Sequence, residues 1–132
     1  LSRSGRSQVS KGDVVMATVK GDIHDIGKNI VKTIMDNYGY HVIDLGRDVD
    51  PSVIVDTVVE NDIRLVGLSA LMTTTLDSME ETIAEVKAAK PDCSVMIGGA
   101  VITPEYAKDA GADHYCKDAM QAVSTARAVF GE

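Results

Sequence analysis

Gly21-Asp22-Ile23-His24-Asp25-Ile26-Gly27-Lys28-Asn29-Ile30 separates two runs of different rhythm. Before it, Val14, Val15, Met16, Ala17 and Val19 form a nearly continuous apolar run, the pattern of a central strand covered on both faces. After it, Ile30, Val31, Ile34, Met35 and Tyr38 recur at helical spacing until Gly39 stops them. The ten residues therefore form a loop at the carboxyl end of a strand, where open α/β folds bind ligands. Inside that loop His24 follows Asp22 by two positions. A carboxylate so placed holds an imidazole in one tautomer and makes its other nitrogen the better metal donor. Plainer roles compete: His24 as a helix-capping residue, Asp22 and Asp25 as turn or cap aspartates, and Gly27 as a backbone angle closed to other residues.

Working outward, the alternation continues. His41 to Gly46 reads as a second strand, and Asp50-Pro51-Ser52 as a turn feeding a helix from Val53 to about Asn61. Leu65 to Ser69 is a third strand, followed by the hydroxyl-rich turn Met72-Thr73-Thr74-Thr75 and a helix with Leu76, Met79, Ile83 and Val86 on one face. Ser94 to Ile97 is a fourth strand closed by Gly98-Gly99, Pro104 to about Ala110 a short helix, and His114-Tyr115 a fifth strand. A last helix contains Met120, Val123, Ala126 and Phe130. Strict alternation with short connections predicts an α/β fold with a doubly wound, mostly parallel five-stranded sheet, flavodoxin-like (Rossmann-like) in the order 2-1-3-4-5. That order puts the switch point between strands 1 and 3, so the His24 loop, the Ser69 to Thr75 loop and Gly98-Gly99 share one rim.

The composition agrees. A chain of 132 residues, 45% hydrophobic and 25% charged, suits one soluble domain. Its net charge of −7 argues against nucleic acid, which asks for a basic surface. No 18-residue apolar stretch is present, so no membrane association and a cytoplasmic location are expected. Cys93 and Cys116 lack zinc or disulfide spacing and read as free thiols; Cys116 follows a short apolar run, where a place near a ligand is one reading and simple burial the plainer one. Residues 1–12 are polar and read as a flexible tail or linker, leaving 13–132 as the domain.

Asp22-x-His24-x-x-Gly27, Ser69-x-Leu71 and Gly98-Gly99 together resemble the three-part signature of base-off/His-on corrinoid (vitamin B12) binding domains, the family found in methionine synthase and the corrinoid methyltransferase proteins. The resemblance runs from Gly21 over nearly the whole remaining chain. It implies a cobalamin or related cobamide, such as methylcobalamin or hydroxocobalamin, with its lower base detached and His24 on the cobalt. Asp22 and Thr75 would stand behind His24 as a relay. The cofactor would be held by Gly21, Asp22, Ile23, His24, Asp25, Ile26 and Gly27, with Ser69 and Thr73 on the nucleotide tail, and Leu71, Thr75, Gly98, Gly99 and Ala119 completing the site. Gly98-Gly99 is either a tight turn or a backbone left bare so that the tail can pass.

Methyl transfer suits an Asp–His pair that takes up a proton as the histidine leaves cobalt. The sequence around the loop, Val19 to Val31, closely resembles methionine synthase and the small corrinoid proteins of methanol- and methylamine-type systems, which implies a methyl carrier that acts between methyl-donor and methyl-acceptor methyltransferase subunits, with a reductive activase as a further candidate partner. On its own the chain offers no separate catalytic constellation. A helical cap precedes the domain in methyltransferase relatives, which makes residues 1–12 the expected remnant of a linker to it. Two alternatives are the cobalamin-binding subunit of an adenosylcobalamin-dependent mutase and a B12-sensing regulatory domain. A phosphoryl-accepting receiver is disfavoured because Leu68-Ser69 stands where its aspartate belongs, and the dinucleotide G-x-G-x-x-G is missing after the first strand.

Overall fold

The computed structural model describes residues 12–24, 26–99 and 101–130. The expected tail, apart from Gly12, and Asp25 lie outside the described residues. Five strands, β1 (Asp13–Val19), β2 (His41–Val49), β3 (Leu65–Ser69), β4 (Ser94–Gly98) and β5 (His114–Tyr115), alternate with helices α1 (Ile26–Asn37), α2 (Pro51–Glu60), α3 (Leu76–Ala89), α4 (Pro104–Ala110) and α5 (Ala119–Phe130). The sheet order is β2-β1-β3-β4-β5 and every pairing is parallel, as the alternation predicts.

Period-two alternation splits the strands between two cores. Val15, Ala17, Val66, Leu68, Val95 and Ile97 face one way and pack with Ile54 and Val58 of α2 and Met79, Ile83 and Val86 of α3. Val14, Met16, Leu65 and Met96 face the other way, toward Met35 of α1 and Ala122, Val123 and Ala126 of α5. A fully buried side chain of this size contributes about 1.5–3 kcal/mol. The sheet is therefore held from both sides, and its loops are free to carry chemistry. Met120, in the final helix, is 48% exposed and belongs to neither core.

The helix ends follow local rules. Asp50 caps α2, its carboxylate accepting from the Ser52 amide at 3.0 Å, with Pro51 at the first helical position. Thr103 caps α4 through the Tyr106 amide, and Gly111, at φ 88°, ends it.

Strand β2 runs three residues beyond the expected Gly46, to Val49. The pairing with β1 shifts register on both sides of Ala17, which lets the polar segment Arg47-Asp48 remain attached at the sheet edge. That extension matters for the site. The Asp48 amide donates to the Asp22 carbonyl at 2.9 Å, and the Asp48 carboxylate accepts the Gly21 amide at 2.7 Å. Asp48 adopts φ 53° and Gly21 φ 88°, left-handed conformations that aspartate tolerates and glycine favours.

Candidate functional site

At the carboxyl rim, the loops after β1 and β3 meet over one buried carboxylate. Asp22 is fully buried and accepts five hydrogen bonds. Its Oδ2 takes the amides of Leu71 at 2.7 Å and Met72 at 3.1 Å and the Thr75 hydroxyl at 3.0 Å. Its Oδ1 takes the His24 amide at 3.0 Å and lies 2.9 Å from His24 Nδ1. Burial alone would raise the Asp22 pKa; the Leu71 amide, the His24 amide and ring, and the Met72 amide outweigh it and hold the carboxyl well below the usual range. Asp22 is thus a charged group whose surroundings were built for the charge.

The consequence passes to His24. A carboxylate can only accept, so the neutral imidazole carries its proton on Nδ1 and its lone pair on Nε2. The His24 side chain is 45% exposed, and among the described residues Nε2 has no hydrogen-bond partner. Thr75, nearly buried, has one hydroxyl proton and two acceptors, Asp22 Oδ2 and the Met72 carbonyl at 2.8 Å. It can strengthen or release its hold on the carboxylate by turning.

Beside the histidine opens a cavity of about 680 Å³ that runs down between the sheet and helices α1 and α5. Ile23, His24, Ile26 and Gly27 line it from the first loop, Ser69 and Leu71 from the second, Gly98 and Gly99 from the third, and Ala119 from the start of α5. Gly21, Asp22 and Thr75 do not line it; Asp22 and Thr75 stand behind His24, and Gly21 ties the loop to β2. Thr73 is exposed and is not among the lining residues. Thr18, which pairs with Ser69 in register, is buried with its hydroxyl unpartnered among the described residues.

Lys28 lines the cavity without any signature in the sequence. Lys28, in the first turn of α1, is 2% exposed and ion-paired with Asp44 of β2. The packing of α1 beside β2 brings these two together. Cys116 also lines the cavity, its Sγ 3.5 Å from Met96 Sδ and 3.6 Å from Thr125 Oγ1. Burial raises its pKa, so it is a packing thiol.

The glycines of the third motif also have a reason within the fold itself. A Cβ on Gly99 would lie 1.9 Å from the Ala70 carbonyl oxygen, and Gly99 has φ 137°. On Gly98 it would lie 2.7 Å from the Cys116 carbonyl oxygen. The protein's own backbone already demands both glycines, whatever passes beside them.

Above the cavity mouth, Ile23, Ile26, Leu71 and Met72 are 60%, 78%, 40% and 37% exposed. Large apolar side chains grouped in this way around a polar centre mark a surface made to be covered. No cluster of three or more His, Cys, Asp or Glu able to hold a metal ion occurs among the described residues. His24 offers a single bond, which suits a metal that brings its other ligands with it.

Comparison with known proteins gives this geometry a family. The model of the B12 binding domain matches residues 12–124. Dimethylamine corrinoid protein 1 of Methanosarcina acetivorans is 41% identical over 129 residues, 96% of this chain and 61% of that protein. A cobalamin-binding protein from Desulfitobacterium hafniense has a solved structure with a TM-score of 0.84 and 41% identity, covering 89% of this chain and 58% of that one. The methanol:cobalamin methyltransferase complex of Methanosarcina barkeri contains a chain with a TM-score of 0.84 and 31% identity, covering 97% of this chain and 50% of that one. The chain thus spans about three fifths of the length of that dimethylamine relative. By the match of its sequence from end to end of the sheet, and by the fold, this chain belongs to the B12 binding domain family, and its cofactor is a corrinoid.

Proposed function

We propose that this chain holds a corrinoid with its lower base detached, His24 Nε2 facing the cobalt and the nucleotide tail in the cavity, and that it carries a methyl group between partner methyltransferases. The observation that carries the reading is the Asp22–His24 pair, with Nδ1 anchored and Nε2 open at the cavity mouth. The residues fit such a group. The exposed apolar rim of Ile23, Ile26, Leu71 and Met72 matches the broad face of a macrocycle, and the cavity gives an extended tail a place to lie. The same reading assigns residues 13–132 to the corrinoid-binding domain, 1–12 to a linker toward a helical cap, and the protein to the cytoplasm.

When bound, a corrinoid supplies a cobalt centre that can take up a methyl group and give it away. The chain's own residues then have defined tasks. Asp22 keeps the Nδ1 proton in place, so the lone pair stays on Nε2. When Nε2 is not ligating it can accept a proton, and the adjacent carboxylate balances the charge of the resulting imidazolium. Thr75 adjusts the carboxylate by choosing between Asp22 and the Met72 carbonyl. Together these keep both states of the histidine low in energy.

Two of the named relatives favour methyl carriage over the mutase and sensor alternatives, since they are a dimethylamine corrinoid protein and a methanol:cobalamin methyltransferase complex. Partner methyltransferases would supply and remove the methyl group, and a reductive activase would restore oxidised cobalt. The test is the absorption spectrum of the chain after incubation with hydroxocobalamin and desalting. Retained corrinoid with a spectrum that changes in His24→Ala is expected. A His24→Ala spectrum identical to that of the unmutated chain would refute ligation by His24, and no retained corrinoid at all would refute the reading.

A further inference from the structure

The loop that carries Asp22 and His24 is gripped from two sides. From the β3 side, the amides of Leu71 and Met72 and the Thr75 hydroxyl hold the Asp22 carboxylate. From the β2 side, Asp48 holds the backbone, its amide on the Asp22 carbonyl and its carboxylate on the Gly21 amide. The second grip comes from an edge strand, carried to this place by register shifts on both sides of Ala17. The same strand also reaches the far side of the histidine. Asp44 pairs with Lys28 and takes the Gly46 amide at 2.9 Å, so β2 brackets His24 with one contact before it and one after.

The backbone at Asp48 argues that its carboxylate has a task. At φ 53° an aspartate bears a steric cost that glycine escapes. What glycine would forgo is the 2.7 Å bond from the Gly21 amide, short and charge-assisted. Among the described residues that amide is the only hydrogen-bond partner of the Asp48 carboxylate. Asp48 is not one of the residues lining the cavity, so its contribution to the site passes through the loop it holds.

We infer that Asp48 is a positioning residue for His24: by fixing Gly21 and Asp22 from the edge strand, it sets the direction from which Nε2 meets the metal. This rests on the corrinoid reading above. A ligating group has to be held within about 0.5 Å of its working position by residues that are themselves fixed. Asp22 orients the ring through Nδ1, but a carboxylate anchored only by the loop after β3 would move with that loop. The second anchor ties the backbone of the pair to β2. Asp22 and His24 are thereby referenced to the two strands that flank β1, and the imidazole keeps one approach to the cavity mouth.

The experiment measures hydroxocobalamin affinity by isothermal titration of the full chain, unmutated and as Asp48→Gly, His24→Ala and the two combined, with the thermal transition of each as a folding control. Glycine suits φ 53°, so Asp48→Gly keeps the path of the strand and the amide bond to Asp22 and removes the carboxylate alone. Its thermal transition is expected to stay within about 3 °C of the unmutated value. Affinity should fall about tenfold, the scale of one charge-assisted hydrogen bond. The absorption bands of the histidine-ligated corrinoid should weaken with it. In the His24→Ala background the same change should move affinity by less than about twofold, because the residue through which it acts is gone. Asp48→Asn tolerates the same backbone angle and still accepts the Gly21 amide, and should bind within about threefold of the unmutated chain. An unchanged affinity in Asp48→Gly, or a loss as large without His24 as with it, would overturn the inference while leaving corrinoid binding intact. Failure of the unmutated chain to bind hydroxocobalamin would instead refute the corrinoid reading, and the inference with it.

Discussion

Replacing Asp22 by Asn preserves size and shape but exchanges one acceptor oxygen for a donor NH₂. In either orientation of the amide some buried donors lose their acceptor. With the amide oxygen at the Oδ2 position, Leu71, Met72 and Thr75 stay bonded while the NH₂ group confronts the His24 amide and Nδ1. Turned the other way, it confronts two buried backbone amides, so the first orientation is favoured. One orphaned N–H costs about 1–3 kcal/mol and each surviving bond loses the charge assistance of the carboxylate, about 1 kcal/mol apiece, partly offset by burying a neutral group. The net expectation is a loss of about 2–4 kcal/mol, or roughly 8–15 °C in Tm for a domain of this size. The effect on His24 is qualitative. An NH₂ beside Nδ1 turns that nitrogen into an acceptor, so the ring proton moves to Nε2 and the open lone pair disappears. Denaturant unfolding measures the first effect, and nitrogen-15 shifts of the imidazole, assigned with His24→Ala, measure the second. A loss below about 1 kcal/mol together with an unchanged Nδ1–H tautomer would refute the reasoning.

Three further outcomes follow from the same geometry. Thr75→Val keeps the shape but removes one hydrogen bond to Asp22, and should cost about 1 kcal/mol by thermal unfolding, with Asp22→Asn/Thr75→Val less than additive because the two share a partner. Because the folded pKa of Asp22 lies below its unfolded value, the stability it contributes is present above about pH 4 and is lost as pH falls below that; the stability difference between the unmutated chain and Asp22→Asn should therefore shrink in acid titration. Gly99→Ala places a Cβ against the Ala70 carbonyl in a left-handed conformation, and should cost about 3 kcal/mol or more, seen as a collapse of soluble, folded protein or a sharply lowered Tm.

Much of the architecture could be read from residue order because each central strand is a nearly continuous apolar run. Val14 to Val19 and Leu65 to Ser69 admit no other element, and their alternation with helices leaves few topologies. The rim was legible for the same reason: strand ends in a parallel sheet point one way. What escaped the linear reading depends on register. Arg47 and Asp48 look like loop, yet β2 continues through them because bulges keep an edge strand attached. Lys28 reads as an ordinary surface position of a helix, but the packing of α1 beside β2 sets Asp44 opposite it and buries both its stem and its charge. Gly98 and Gly99 stand out in the sequence, but the close approach of the Cys116 and Ala70 carbonyls to them follows only from the packing of neighbouring strands and loops.

The ties between Asp48 and the first loop have a kinetic meaning. The amides of Gly21, Asp22 and His24 are all hydrogen-bonded, to the Asp48 carboxylate, the Val19 carbonyl and the Asp22 carboxylate, and the Asp22 carbonyl is taken by the Asp48 amide. Such a segment is tethered to the sheet edge and to its own carboxylate, although it lies outside the strands. The backbone up to His24 is therefore a braced pivot, and if the imidazole ligates a metal as proposed, its departure would be a rotation about its own side-chain bonds. Rotations of exposed side chains run in the picosecond-to-nanosecond range, and this one would have to break the His24–Asp22 bond but open no loop. Change of ligation would then keep pace with whatever partner arrives, and the encounter would set the tempo of the exchange.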